Sequence, residues 1–300
     1  MSTVTPMANA DSTLGASIEV SPKQALENAD LPGLFPAGTL VYVTDVGTDP
    51  LETIFAGARR LTDLGYQPVP HMPVRRIASQ DELQRRLGGL AEQAGAKNCL
   101  LIAGEAPKTM GPFNASSEVL ETGLLDKFGY AAVGIAGHPE GNKEYPAGTE
   151  MAVLKRKADF AQLSDAEFRI VTQFGFDGKL FFNWAQSLAA EGIDLPVHLG
   201  VAGPAKLTTL IKFAAMCGVG NSLQFLKKRA SAITALATSY SPDEVAGELE
   251  QLIAAADASP IAQLHVFPFG GLKKASEWLH QRGSWQQSSA AASPAAPSYS

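Results

Sequence analysis

The sequence is poor in the features that assign a chain at a glance. Its 300 residues include two cysteines, Cys99 and Cys217, too few for a disulfide framework or a four-ligand structural zinc site. No apolar run approaches the roughly 18 uninterrupted residues of a membrane span. The N-terminus, MSTVTPMANADSTLG, lacks the basic stretch and apolar core of a secretory signal. Basic residues are outnumbered, 24 Lys and Arg against 30 Asp and Glu for a formal charge of −6, which argues against an electrostatic nucleic-acid binder. No Walker A sequence occurs, and Gly218-Val219-Gly220 lacks the third glycine of a dinucleotide fingerprint and follows a helix-like run. These absences leave a protein expected in the cytoplasm, with neither nucleic acid nor membrane as partner.

What is present is globular: 45% hydrophobic and 18% charged residues, in a length that suits a single α/β barrel of about 250 residues. The expected organisation is a flexible N-terminus over residues 1–13, one folded domain over 14–283, and a disordered Ser/Ala/Pro-rich tail over 284–300. Short apolar runs predict strands at Ala16–Val20, Thr39–Thr44, Gln67–His71, Asn98–Ala103, Ala131–Ala136, Phe168–Phe174, Leu195–Val201 and Gln263–Phe267. Between them lie helical patterns such as Leu51–Leu64 and Asp81–Ala94. Thr48-Asp49-Pro50 reads as an N-cap with Pro in the first turn, Ser79 with Glu82 reads as a capping box, and Gly65 and Gly95 read as stops. Eight strands separated by helices predict a (β/α)8 TIM barrel, although the count alone also admits an open doubly wound sheet. Helical material between Val201 and Gln263, including Asp243–Ala256, reads as an insertion of extra helices after strand seven.

In such a barrel the reacting groups sit at the carboxyl ends of the strands. Those ends offer Glu19, Thr44 with Asp45, His71, Gly104-Glu105, His138-Pro139-Glu140, and Thr172-Gln173. A strand-end glutamate caps a loop amide as readily as it does chemistry, and His71, between Pro70 and Pro73, has a carbonyl partner as its plain alternative. Gln173 is more telling, because a buried amide must find partners for both its donor and its acceptor. No metal triad and no Ser-His-Asp arrangement is evident. The set suits a polar heterocycle and the movement of protons around it.

At these residues the sequence resembles the methylenetetrahydrofolate reductase family. The resemblance runs from about Ser17 to His280 through Ser17-Ile18-Glu19-Val20-Ser21-Pro22, Val41-Tyr42-Val43-Thr44, Pro68-Val69-Pro70-His71 and Leu101-Ile102-Ala103-Gly104-Glu105-Ala106-Pro107. It continues through Val133 to Gly141, Leu154-Lys155-Arg156-Lys157-Ala158-Asp159 and, most specifically, Ile170-Val171-Thr172-Gln173-Phe174-Gly175-Phe176-Asp177. The resemblance implies an FAD-containing barrel that interconverts 5,10-methylenetetrahydrofolate and 5-methyltetrahydrofolate through flavin N5, with a nicotinamide such as NADH recharging the flavin. It makes Glu19 the acid that protonates N10, a role that requires a raised pKa near neutrality. Gln173 becomes the pterin-binding amide, Glu105 a second folate-side group, and Thr44, His71, Gly104, His138 and Lys157 the flavin contacts. Tetrahydrofolate derivatives are the implied partners, with homo-oligomerisation as a further expectation.

Departures from the family pattern cluster on the flavin side. Ala103-Gly104-Glu105 stands where Arg-Gly-Asp is common, His138 where tyrosine is frequent, Asn142 where histidine occurs, and Val153 where asparagine often meets the flavin. An unusual electron partner is one expectation that follows. The alternative is a redox-inactive folate-binding protein, or partner subunit, of the same fold.

Overall fold

In the computed structural model, residues 13–104, 108–142, 145–146, 148–217, 219–220, 222, 224–226 and 239–286 are described. Seven parallel strands come first: β1 (Ala16–Val20), β2 (Leu40–Val43), β3 (Gln67–Pro73), β4 (Asn98–Ile102), β5 (Ala132–Gly137), β6 (Glu167–Thr172) and β7 (Val197–Ala202). Two short antiparallel strands, β8 (Ala205–Lys206) and β9 (Ser239–Tyr240), form a separate ribbon, and β10 (Ile261–Phe267) completes the main sheet. The order β1-β10-β7-β6-β5-β4-β3-β2 is closed, because β1 pairs in parallel with both β2 and β10. Closure decides between the barrel and the open sheet that strand counting alone leaves undecided. All eight expected strands are present, with ends shifted by a residue or two.

The prolines of β3 illustrate how the sequence meets the ladder. Proline has no N–H to donate and is tolerated where pairing is interrupted. Pro68 and Pro70 lie before the β3–β4 register begins at His71↔Leu100, and Pro73 lies beyond the last β2 partner, at Val43↔Pro70. His71 is therefore delivered to the barrel mouth by a strand whose backbone is stiff on both sides of it.

The helices bury one face against the outside of the barrel. Leu51–Asp63 presents Ile54, Ala58 and Leu61 to the core, and Gly65 (φ +80°) ends it in the left-handed conformation that glycine adopts most easily. Its start differs from expectation: Pro50 is the cap residue, with no side-chain cap, while the Thr48 hydroxyl donates to Asp49. The helix expected over Asp81–Ala94 is an α-helix over Gln80–Gly88 followed by a wider π turn over Gly89–Gln93. Ser79 accepts the Glu82 N–H as expected, but the Glu82 carboxylate accepts from Ala78 N, one residue earlier than a reciprocal box requires. After β7 the chain leaves the barrel through a helix at Leu207–Met216, with Asp243–Ala255 following β9, matching the expected extra helical material. Among the described residues no helix is long and apolar enough to cross a membrane.

Three apolar clusters result. The largest lies between strands and helices, a small one of Tyr42, Val69, Leu100 and Val171 fills part of the barrel interior, and a third holds the excursion after β7 against the barrel mouth. The last depends on aromatic contacts: Phe174 lies 5.3 Å from Phe267 and 4.9 Å from Phe269, and Phe213 stacks on Phe269 at 4.3 Å, centroid to centroid.

Gly200 in β7 tests this packing. A Cβ there would stand 2.5 Å from the Gln173 carbonyl oxygen and 2.6 Å from that of Thr172, both backbone atoms that cannot swing away. Gly200→Ala is expected to destabilise the fold by at least about 2 kcal/mol, read as a lower urea midpoint at an unchanged m-value.

Candidate active site

The carboxyl ends of the barrel strands surround a cavity of about 410 Å³. Glu19, His71, Gly104, His138, Lys157 and Gln173 all line it, as the sequence suggests. Thr44 is not among the lining residues: its N–H and hydroxyl both approach the Val20 carbonyl, 2.9 and 3.4 Å away, tying β2 to β1. Glu105 lies outside the described residues. Gly104 is required where it stands, with φ +80° and a hypothetical Cβ 2.6 Å from the Pro73 side chain.

The floor of the cavity is built around one oxygen. Glu19 Oε1 is 3.2 Å from His265 Nε2 and 3.3 Å from His71 Nε2. The His265 contact is a hydrogen bond, whereas His71 Nε2 lies off the bonding direction and is buried without a hydrogen bond. Burial works to raise the Glu19 pKa, but hydrogen bonding and the positive potential of the two imidazoles outweigh it, and the carboxyl is brought down to about 2. This corrects the expectation of a raised pKa. Glu19 is ionised in the resting site, because strands far apart in sequence bring two imidazoles to it.

His265 is itself fully buried, and burial pushes its pKa below the ordinary value against the pull of Glu19. Its Nδ1 lies 3.0 Å from Ser17 Oγ, which also reaches the Leu264 carbonyl at 3.3 Å. Two proton arrangements follow from these contacts. In one, Ser17 O–H donates to Nδ1 and Nε2–H donates to the Glu19 carboxylate. In the other, with one more proton on the cluster, Glu19 O–H donates to Nε2, Nδ1–H donates to Ser17 Oγ, and Ser17 O–H turns to Leu264. The site can therefore take up and release a proton by a hydroxyl rotation and a tautomer change.

On the opposite wall, Gln173 Oε1 accepts the Phe174 N–H at 3.2 Å, which fixes the amide and leaves its NH2 for a ligand. Lys157, nearly buried on the helix Glu150–Asp159, donates to the Ala136 carbonyl at 3.1 Å. Burial without a carboxylate partner among the described residues lowers its pKa to about 8. Nearby, Asn142 Nδ2 approaches His138 Nε2 at 3.3 Å, and Glu140 accepts both the N–H and the hydroxyl of Ser222, joining the β5 loop to the excursion.

Beneath the floor, Arg169 Nε donates to Tyr42 Oη at 2.9 Å and Nη1 to Asn98 Oδ1 at 3.3 Å. Further along the interior, His198 Nδ1 meets the Gln263 amide at 3.1 Å. Sequence reasoning missed Ser17, His265, Tyr42, Arg169 and His198. A signal was available in the two-residue period of strands: Ser17 with Glu19, Gln263 with His265, and Arg169 with Gln173 each share an inward face.

A family model described as methylenetetrahydrofolate reductase matches residues 42–267. A segment of 122 residues is 29% identical to "Methylenetetrahydrofolate reductase 2" of Saccharomyces cerevisiae, covering 37% of this chain and 19% of that protein. A segment of 156 residues is 26% identical to the "5,10-methylenetetrahydrofolate reductase" of Pectobacterium carotovorum, covering 52% of this chain and 50% of that protein. The chain thus spans half or less of the curated relatives it matches. Among solved structures, a Clostridium thermocellum protein described as binding two copies of 5-methyl-5,6,7,8-tetrahydrofolic acid superposes with a TM-score of 0.55 at 11% identity, over 94% of this chain and 97% of its own. At that identity the likeness concerns the fold.

The buried histidines set an acid limit to stability. His198 and His265 have pKa values below the ordinary 6.5 because burial, first of all, disfavours their charged forms. Below pH 6.5 the unfolded chain therefore binds protons that the folded chain does not, and stability falls with pH. Glu19 adds a second loss between its ordinary 4.5 and about 2. His198→Gln is expected to flatten the decline of urea midpoints between pH 6.5 and about 5, by up to about 1.4 kcal/mol per pH unit; an unchanged slope would remove His198 as its source.

Proposed function

Because the chain belongs to the methylenetetrahydrofolate reductase family, we propose that it interconverts 5,10-methylenetetrahydrofolate and 5-methyltetrahydrofolate by hydride transfer, with a flavin as carrier. The observation that carries this reading is the Glu19 carboxylate, hydrogen-bonded by His265 and facing His71 on the floor of a cavity whose wall presents the Gln173 amide.

Opening the methylene bridge releases N10 as an amine, which needs a proton, and leaves a cationic iminium at N5. A carboxylate already in place opposite that cation stabilises it without reorganisation. That proton would pass to N10 through the Glu19–His265–Ser17 cluster, whose hydrogen bonds can carry one more proton. In the oxidative direction the resting arrangement suits the reverse task, since the ionised Glu19 accepts the N10 proton as the ring closes. The Gln173 NH2 meets a pterin acceptor, and the second lone pair of Oε1 meets a donor.

The residues fit a flavin in this cavity: His71 has a buried Nε2 without a hydrogen bond, and His71 and the buried Lys157 ammonium would hold it by hydrogen bonding. When bound, the flavin supplies the hydride. Val153, in place of an asparagine donor, leaves a recess beside Lys157 and Trp184 apolar on that face, which agrees with a weaker hold on the cofactor and an altered electron donor.

Glu19→Gln keeps the shape and removes the titrating oxygen. It is expected to lower turnover by at least about 10²-fold while folate affinity, measured by fluorescence titration, changes only a few-fold. Turnover near the wild-type rate would remove Glu19 from the chemistry. With FAD supplied anaerobically, 5-methyltetrahydrofolate is expected to bleach the flavin band. A protein that stays colourless after FAD addition would replace this reading with that of a redox-inactive folate-binding protein.

A further inference from the structure

The helix Glu150–Asp159 carries three successive cations, and the fold treats them differently. Lys155 pairs with Asp159 one turn on, and Arg156 pairs with Glu121 at 2.7 Å, both at the protein surface. Lys157 falls instead on the buried face, with Leu154 and Ala158, and is only 4% exposed. Its Nζ donates to the Ala136 carbonyl at 3.1 Å, and no carboxylate among the described residues pairs with it.

The side chain lies where two spaces meet, for it lines both the main cavity and the small recess beside Trp184. The carboxylates and imidazoles that share these spaces are Glu19 from β1, His71 from β3, His138 and Glu140 after β5, Glu150 on the same helix and His265 from β10. The carboxylates are engaged elsewhere: Glu19 by His265, Glu140 by Ser222, and Glu150 by backbone N–H groups of Asn142 and Gly148. Glu118, on the helix packed against this one, accepts from Asn114 N and Ala115 N. None of these groups offsets burial at Lys157, and burial brings its pKa down to about 8. At about pH 7 roughly one tenth of the side chain is then a free amine, against less than about a thousandth for an exposed lysine.

A desolvated cavity amine without a carboxylate partner is the usual setting for lysine imine chemistry. We propose that Lys157 is a Schiff-base site for small aldehydes that enter the ligand-free cavity. The Nζ lone pair attacks the carbonyl carbon to form a carbinolamine, which loses water to leave a C=N bond on Nζ. The departing water takes the aldehyde oxygen and both amine hydrogens, so nothing is oxidised or reduced. The functional reading above supplies a source of aldehyde, because a methylene bridge between two nitrogens yields formaldehyde on hydrolysis. The proposal stands without that reading, since it concerns only the amine and its surroundings. An imine there would also compete with a flavin for the same side chain.

The test treats the full chain, free of ligand, briefly with formaldehyde and cyanoborohydride, which reduces the imine to a stable N-methyl group. Peptide mass spectrometry follows each lysine, with Lys23, on an exposed helix face, as the reference in the same sample. At about pH 7, Lys157 is expected to be methylated at least about ten-fold faster than Lys23. The lead is expected to narrow about ten-fold by about pH 9, where the Lys157 amine is mostly unprotonated and Lys23 is still gaining. It is expected to vanish in urea, where burial is lost. No lead at neutral pH, a lead that does not change with pH, or one that persists in urea would overturn the proposal. A parallel sample saturated with FAD separates this inference from the functional reading: methylation that FAD does not slow keeps the aldehyde site and removes Lys157 from the flavin contacts.

Discussion

Much of the site depends on one carboxylate oxygen being shared by two imidazoles. Glu19 Oε1 receives His265 and faces His71, and each partner comes from a strand that is not next to β1 in chain order. Away from them, burial would press Glu19 towards its neutral form. Beside them its charged form is favoured, which gives the cavity a negative floor. The histidines are held in turn: His265 by the Ser17 hydroxyl and the Tyr42 ring, His71 by a proline-stiffened strand.

This constellation follows from parallel register. Closing β1 between β2 and β10 places Ser17 opposite His265 and Glu19 opposite Tyr42, so groups far apart in sequence become neighbours on the inward face. Interior positions that an ordinary barrel fills with valine and isoleucine are taken here by a chain of polar groups. Glycine makes the space: Gly134 lets the Leu100 and Val171 side chains close over β5, and Gly200 lets β7 pass close under the carbonyls of Thr172 and Gln173. The cost of burying polar groups is offset by hydrogen bonds at nearly every member.

Much of this was legible from residue order. The strands stood out because a strand enclosed on both faces is nearly continuously apolar, and Glu19, His71, His138, Lys157 and Gln173 were legible because strand ends are where barrels carry polar groups. Closure was not legible, since it is a contact between Ser17 and Leu264 across 247 positions. Nor was the charge state of Glu19, which is set by partners on other strands. Thr44 occupies a suitable strand end but spends its hydroxyl on the neighbouring backbone. Arg169 was hidden for the opposite reason: a cation in mid-strand reads as surface until a closed barrel leaves its face no solvent.

The aromatic cluster at the mouth gives the excursion after β7 a structural meaning. Phe174 immediately follows Gln173, is fully buried, and packs on Phe267 and Phe269, with Phe213 of the excursion stacked on the latter. Through Phe174 N–H, the same residue also fixes the Gln173 amide. The excursion is therefore part of the cavity wall and cannot be exchanged as a module. Grafting another segment onto this barrel would keep Phe174, Phe267 and Phe269 but remove the Phe213 ring stacked on Phe269, and with it part of the packing that holds the Phe174 N–H against the Gln173 amide.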